Sequence, residues 1–272
     1  MSTAEQRREQ LKAVYLEARD CTRCALAETR TTVIFGAGNA NADLMFVGEA
    51  PGANEDKGGL PFIGQAGRLL DRLLQEVGLE RADVFIANVL KCRPPGNRDP
   101  RPTEIEACRE YLHRQVELIQ PTVICTLGNF STKLLRDDPT GISRVHGQPE
   151  VHVLGSRAVR IFPIYHPAAA LYTPSMLETL RADFALLPDL LASGPPPQPE
   201  ASSAPPPGDD EEGPTAEDLE AFREAFAEAS EEQGAEGGEG PPTGDATPPR
   251  VVADAPAEAA PEQPRVDQLG LF

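Results

Sequence analysis

Short apolar runs alternate along this chain with stretches of helical periodicity. The runs lie at 44–47, 84–89, 122–127 and 159–164. Each is short and bounded by turn-forming or polar residues, which predicts buried strands. Between them, Ala4–Arg19 and Gln65–Val77 show the period of amphipathic helices, and Thr103 with Glu106 forms a capping box that starts another helix. Strands separated by helices indicate an α/β domain.

Polar residues stand where three of the predicted strands end. Glu49 follows the first run on a turn of proline and glycine, Asn88 lies at the end of the second, and His166 follows the last. Because ligands of open α/β sheets bind at the carboxyl ends of the strands, we expect these three side chains to converge on one cleft. The remaining strand ends at Gly128, where the N-terminus of a following helix favours a phosphate.

The loop after Glu49 adds an aromatic ring to this cleft. Phe62 stands beside Pro61 after a glycine-rich stretch, and a carboxylate together with a flat ring suits a planar ligand. Two structural alternatives stay open on the residues alone. In one, Glu49 is a solvated turn residue and Phe62 belongs to the core. In the other, Asn88 serves only to hydrogen-bond a neighbouring loop.

Four of the five cysteines are candidate metal ligands. Cys21 and Cys24 form a CxxC pair, and Cys92 and Cys108 are placed to face it across the fold. In a reducing cytoplasm such residues are poor candidates for disulfides. Four thiolates complete a site for zinc or for an iron–sulfur cluster, and their spacing does not decide between the two. Cys125 lies inside an apolar run and is interpreted as a core residue.

The net charge of −18 is concentrated at one end of the chain. Residues 194–272 hold 19 acidic and three basic residues, a charge of −16, which leaves −2 for residues 1–193. A near-neutral domain with a local basic patch is compatible with nucleic acid as a partner. The loop at 91–101 is such a patch, and its cations are Lys91, Arg93, Arg98 and Arg101.

Three motifs together resemble the family 4 uracil-DNA glycosylases, the iron–sulfur type. GEAPGxxED followed by PFxGxAG occupies 48–67, KCRPPxNR begins at Lys91, and HPAAA begins at His166. The resemblance covers roughly residues 15–190. It implies a single three-layer α/β/α domain at 1–193 with a mostly parallel central sheet. It also implies one 4Fe–4S cluster held by Cys21, Cys24, Cys92 and Cys108.

The same resemblance implies a DNA repair enzyme that removes uracil from DNA in base excision repair. Glu49 is expected to stabilise the positively charged sugar and orient water, and His166 to donate a hydrogen bond to the departing base. The expected uracil-binding residues are Glu49, Ala50, Pro51, Phe62, Asn88 and His166. Glu55 and Asn97 are possible catalytic assistants. The four cations of the 91–101 loop are expected to contact DNA phosphates.

The C-terminal region is expected to lie outside the folded domain. Residues 194–266 are rich in proline and acid and predict a disordered linker, with one amphipathic segment at Thr215–Glu232 that forms at most a marginal helix. The last residues, 267–272, resemble the QLxLF peptide by which bacterial repair proteins bind the sliding clamp. The expected clamp-binding residues are Gln268, Leu269, Leu271 and Phe272.

Two other functional classes fit parts of this pattern. A non-enzymatic metal–cysteine adaptor that binds DNA and is recruited to the clamp explains the cysteines and the basic loop, but not the convergence of polar strand ends. A small-molecule hydrolase acting on nucleosides explains the cleft but not the loop. No signal peptide or membrane span is visible, so we expect a cytoplasmic, nucleoid-associated monomer.

Overall fold

A computed structural model describes residues 3–199 of the chain. Its centre is a six-stranded sheet in the order β1-β3-β2-β4-β6-β5. The strands are β1 (Ala37–Gly38), β2 (Leu44–Gly48), β3 (Phe85–Asn88), β4 (Val123–Leu127), β5 (Glu150–Leu154) and β6 (Arg157–Ile164). The four inner strands are parallel, and the two edge strands pair antiparallel. This confirms the predicted mostly parallel sheet.

Nine α-helices accompany the sheet within the described residues. They are α1 (Ala4–Arg19), α2 (Ala53–Gly58), α3 (Gln65–Glu76), α4 (Pro102–Ile119), α5 (Asn129–Arg136), α6 (Ile142–Val145), α7 (Pro167–Ala170), α8 (Pro174–Phe184) and α9 (Leu187–Ala192). Two 3₁₀ turns lie at Ala25–Glu28 and Pro95–Asn97. No helix in this part of the chain has both the length and the apolar content to cross a bilayer.

Alternation along the inner strands divides the core into two layers. In β2, Met45 and Val47 point into a cluster with α1 and α4, whereas Leu44 and Phe46 point into a second cluster with α3 and α8. Burial on both faces explains why this strand reads as a continuous apolar run. The result is the three-layer α/β/α arrangement that the resemblance implied. Cys125 is fully buried in the second cluster, which confirms its interpretation as a core residue.

Helix α1 lies against α4, so the CxxC pair that follows α1 is brought close to a helix from the middle of the sequence. Leu11 and Val14 of α1 are buried in the same cluster as Leu112 and Val116 of α4. At the surface, Arg114 donates to Glu17 across the pair at 3.0 Å. Such an exposed ion pair stabilises little, so the apolar contacts hold the two helices together.

The described residues end against the start of β6. The side-chain amide of Gln198 accepts from the backbone N–H of Ala158 at 3.2 Å and donates to its carbonyl at 3.0 Å. Arg160 donates to the carbonyl of Gly194. The segment 194–199 therefore lies against β6, although the predicted domain ends at residue 193. The segment Thr215–Glu232 and the terminal peptide 267–272 lie outside the described residues.

Candidate active site

A cavity of about 610 Å³ opens at the carboxyl edge of the parallel strands. Four consecutive strand ends supply its floor: Glu49 after β2, Asn88 in β3, Gly128 after β4 and His166 after β6. The eight residues predicted to bind uracil or assist catalysis all line it: Glu49, Ala50, Pro51, Glu55, Phe62, Asn88, Asn97 and His166. The parallel topology thus gathers side chains that are far apart in sequence.

Glu49 is a half-buried carboxylate with an unusual affinity for protons. Burial, and then the negative charge of Asp99, raise its pKa to about 7. A carboxylate that titrates near neutral pH can take a proton from water efficiently under physiological conditions. The alternative of a solvated turn residue does not describe this environment.

Phe62 covers the cavity from a strained position. Its backbone has φ = 53°, a left-handed conformation that costs an L-residue about 1–2 kcal/mol. Its ring stacks near His166, with 5.6 Å between centroids and 29° between planes. A Cβ at Gly48 would lie 2.9 Å from the Phe62 ring and 2.4 Å from Asn88 Oδ1, so a glycine is required where the ring meets the strand end. Phe62 is therefore both buried and part of the cavity.

Asn88 offers an unsatisfied polar atom inside the cavity. The residue is 2% exposed, and among the described residues no group donates to its Oδ1. A buried amide oxygen without a partner is costly, which indicates a ligand that supplies the missing hydrogen bond. The alternative, in which Oδ1 of Asn88 accepts a hydrogen bond from a neighbouring loop, does not occur in the structure.

His166 is held as a neutral imidazole with a defined tautomer. Burial lowers its pKa to about 4, and the nearby charge of Glu55 opposes this only in part. Nδ1 accepts from the backbone N–H of Ala168 at 3.1 Å, as the N-cap of α7. The ring proton therefore resides on Nε2, where it can be donated to a ligand atom.

A second, smaller cavity is lined by all four candidate metal ligands, Cys21, Cys24, Cys92 and Cys108. The backbone N–H of Lys91 donates to the sulfur of Cys108 at 3.3 Å, and Arg30 donates to that of Cys92 at 3.7 Å. Burial raises the pKa of the Cys92 thiol to about 12. None of the four forms a disulfide. Within residues 3–199, no group of three or more His, Cys, Asp or Glu side chains is arranged to hold a single metal ion.

Comparison with known proteins identifies the family. The model of the uracil DNA glycosylase superfamily matches residues 35–190. A protein of Sulfurisphaera tokodaii named type-4 uracil-DNA glycosylase is 46% identical over 185 residues, which cover 66% of this chain and 84% of that protein. Proteins of the same name from Archaeoglobus fulgidus and Saccharolobus solfataricus are 46% and 47% identical, over 67% and 66% of this chain and 94% and 85% of theirs. The chain belongs to the type-4 uracil-DNA glycosylases.

One predicted phosphate contact of this glycosylase domain is wrong. Lys91 is 1% exposed, and its ammonium donates to the carbonyl of Asn88 at 2.8 Å and to Oε1 of Gln115 at 2.5 Å. A side chain so enclosed cannot reach DNA. The other three cations are accessible to different degrees: Arg101 is exposed, Arg93 is half-buried, and Arg98 lines the cavity while it is paired with the buried Glu104.

Several lining residues of the glycosylase cavity were not predicted from the sequence. Asp99 and Phe130 contribute a third carboxylate and a second phenyl ring, whereas Asn129 begins α5 at the cavity wall, where the sequence predicted a helix N-terminus. Glu55, predicted as a catalytic assistant, accepts from the backbone N–H groups of Ile63 and Gly64 at 3.2 and 3.3 Å, so it also supports the loop that carries Phe62.

The charge of Asp99 is expected to add to the larger effect of burial in raising the pH at which Glu49 ionises. Because the pKa of Glu49 is raised to about 7, activity that needs its carboxylate should rise with pH through that value. Asp99→Asn removes one of the two raising causes, so the acid limb of the pH–rate profile should move to lower pH. Asp189→Asn, an exposed change on α9, should leave the limb in place. An unmoved limb in Asp99→Asn contradicts the assignment.

Proposed function

We propose that this chain is a DNA repair glycosylase that hydrolyses the N-glycosidic bond of uracil in DNA, giving free uracil and an abasic site in base excision repair. The observation that carries the proposal is the convergence of Glu49, Asn88 and His166 beneath Phe62 in one cavity. The names of the relatives support the choice of uracil in DNA over a free nucleoside. The enzyme acts as a monomer in a cytoplasmic, nucleoid-associated setting.

Recognition begins with a uracil turned out of the helix into the cavity. Extrusion of a base costs about a few kcal/mol, which stacking and hydrogen bonds in the pocket must offset. Phe62 supplies the stacking face. The unpartnered Oδ1 of Asn88 accepts the N–H of uracil, and its amide N–H₂ donates to the neighbouring carbonyl. Cytosine presents an amine at that carbonyl position and would leave the amide mismatched.

Bond cleavage places opposite charges on the two products. The electrons of the C1′–N1 bond stay with uracil. The Nε2–H of His166 donates a hydrogen bond to the departing base and stabilises its developing negative charge. The sugar becomes positively charged, and the carboxylate of Glu49 stabilises it. Glu49 then takes a proton from the water whose oxygen bonds to C1′ and later releases it to solvent, while the uracil anion takes up a proton from solvent to give free uracil. A neutral imidazole suits this role, because it donates a hydrogen bond without having to give up a proton.

The four cysteines hold one 4Fe–4S cluster in this proposal, and the donor set fits such a group. The ammonium of Lys91 is enclosed, and no carboxylate in residues 3–199 accepts from it. Burial lowers its pKa to about 8, and negative charge on Cys108 and Cys92 opposes this shift. A buried cation without a counter-ion is costly, and thiolates on a metal centre supply the missing negative charge. Backbone N–H to sulfur bonds, as at Cys108, are a further feature of cluster ligation. The cluster would serve as a structural cross-link between the N-terminal region, the basic loop and α4.

DNA phosphates are held by the accessible part of the basic loop and by α5. Arg93 and Arg101 lie on this loop, and Arg98 reaches the cavity edge. The N-terminus of α5 faces the same cavity and favours negative charge. These contacts carry no base preference, so specificity stays with the pocket.

The deciding experiment is the release of free uracil from a uracil-containing oligonucleotide by purified, iron-loaded protein. Release from the oligonucleotide but not from free deoxyuridine is expected. Binding to DNA without release of uracil would favour the non-enzymatic adaptor, and release from deoxyuridine would favour the nucleoside hydrolase.

The terminal peptide is proposed to recruit the enzyme to the sliding clamp. Gln268, Leu269, Leu271 and Phe272 lie outside the described residues, and this proposal rests on the sequence alone. We expect a peptide of residues 263–272 to bind the clamp with a Kd in the micromolar range, and Leu271→Ala with Phe272→Ala to weaken binding at least tenfold, because two buried apolar anchors are lost. Isothermal titration measures both. A native peptide that shows no binding at high micromolar concentration rules the proposal out.

A further inference from the structure

The stacking residue Phe62 is held by a side chain that does not line the cavity. Arg81 lies in the connection between α3 and β3. Its guanidinium donates to the carbonyl of Pro61 and, at 3.4 Å, to the carbonyl of Phe62. The same guanidinium is anchored by Asp71 of α3, with 2.9 Å between Nη1 and Oδ1. One planar cation thus joins the two peptide units at Phe62 to the helix that follows them.

Those peptide units need such support because the backbone of Phe62 is left-handed. A φ of 53° at a bulky aromatic residue is uncommon and persists only where surrounding contacts enforce it. Helix α3 contributes from below, since a Cβ on Gly67 would lie 1.6 Å from the Phe62 carbonyl oxygen. The carbonyl is therefore confined between the bare backbone of α3 and the guanidinium of Arg81.

A group of the opposite charge holds the other side of the loop. The carboxylate of Glu55 accepts from the N–H groups of Ile63 and Gly64. The carbonyls of Pro61 and Phe62 therefore face the cation of Arg81, and the N–H groups of Ile63 and Gly64 face the anion of Glu55. This arrangement matches the direction of the peptide dipoles and opposes their rotation. Because Glu55 also lines the cavity and Arg81 does not, only Arg81 can be replaced without altering the pocket wall.

We propose that Arg81, anchored by Asp71, is a positioning residue for uracil excision that acts by holding the Phe62 ring at the angle needed to stack on the extruded base. This inference rests on the proposed function, since it assigns Phe62 a base to stack on. In this proposal Arg81 contacts protein groups rather than DNA and takes no part in bond cleavage. Its loss should therefore lower the rate of the bound complex rather than weaken the binding of DNA.

The test is single-turnover uracil release at saturating oligonucleotide by the iron-loaded protein. Arg81→Ala is expected to lower this rate about tenfold, with the Kd for DNA changed less than about twofold, because charge-assisted hydrogen bonds of this kind are lost without loss of a phosphate contact. Arg72→Ala removes an equally charged, exposed side chain from α3 and should have the rate of the unaltered protein. Arg81→Lys keeps the charge but not the fork, and should recover only part of the rate.

A double-mutant cycle with Phe62→Ala separates positioning from general stability. If Arg81 acts through the ring, Arg81→Ala should lower the rate less than about twofold when Phe62 is already alanine. An equal loss in both backgrounds, or a wild-type rate in Arg81→Ala, overturns the inference. Asp71→Asn provides a milder perturbation and carries the same cycle if Arg81→Ala does not fold. Failure of the unaltered protein to release uracil would instead refute the proposed function.

Discussion

Replacing Glu49 by glutamine is expected to lower the rate of uracil release by a factor of about 10²–10⁴, the range observed when a positioned acid–base or charge-stabilising group is lost. Glutamine keeps the size of the side chain, so the pocket should stay intact. It carries no negative charge to stabilise the sugar and cannot take a proton from water. Single-turnover release from a uracil oligonucleotide measures the effect, with DNA affinity measured in parallel.

Glu80→Gln is the matched control for this change, because Glu80 is an exposed carboxylate outside the cavity. It should have the rate of the unaltered protein. If Glu49→Gln released uracil at that rate too, the carboxylate would have no part in the reaction and the mechanism given above would be wrong. Equal losses in both variants would point to a general effect of net charge.

Replacing Cys108 by serine is expected to remove the proposed cluster and much of the stability of the domain. The proposed ligands span residues 21 to 108, so the proposed cluster would close a long loop, for which a covalent cross-link contributes about 4 kcal/mol. For a domain of this size that corresponds to a fall in Tm of roughly 10 °C. Iron content, visible absorbance and calorimetry give the three measurements. The buried cation of Lys91 would then lack its counter-charge, which adds to the loss.

Cys125→Ala is the matched control, since Cys125 is buried in the opposite core layer. It removes a small apolar group and should cost about 1 kcal/mol while iron content stays unchanged. A Cys108→Ser protein with full iron content would show that Cys108 is not a ligand. Loss of iron with an unchanged Tm would show that the cluster is not the cross-link proposed here.

The strand ends were predictable because hydrophobic pattern and parallel topology constrain them strongly. Short apolar runs bounded by turn residues, such as 44–47, favour buried strands, and parallel strands bring their carboxyl ends to one edge. Glu49, Asn88 and His166 therefore had to approach each other once the sheet was recognised. The edge strand β1 has only two residues, Ala37 and Gly38, and carries no pattern that could have predicted it.

Lys91 shows where local composition misleads. In sequence it is one of four cations in a proline-rich loop, yet it directly follows the buried residues Val89 and Leu90 and turns inward. Its destination depends on Gln115, which α4 presents from 24 residues away. Charge alone cannot tell a phosphate contact from an internal counter-ion, because the difference lies in which tertiary partners surround the side chain.

Asp99 and Arg81 were missed for a related reason. Asp99 stands in a loop between prolines and acts on Glu49 only through space. Arg81 contacts carbonyl groups, and a backbone acceptor leaves no trace in the residue types of a sequence. Both effects need coordinates to be seen, since neither follows from periodicity or spacing.

The attachment of Gln198 to Ala158 places the last described residues beside the start of β6. Ala158 lies near the start of β6 and Ile164 ends it, so the attachment point and the catalytic edge are separated by roughly 20 Å, six residues at about 3.3 Å each. A protein that binds the last residues would thus be tethered to the domain at the start of β6, away from the cavity. The cavity lies at the opposite end of β6, so the attachment of Gln198 leaves the catalytic edge uncovered.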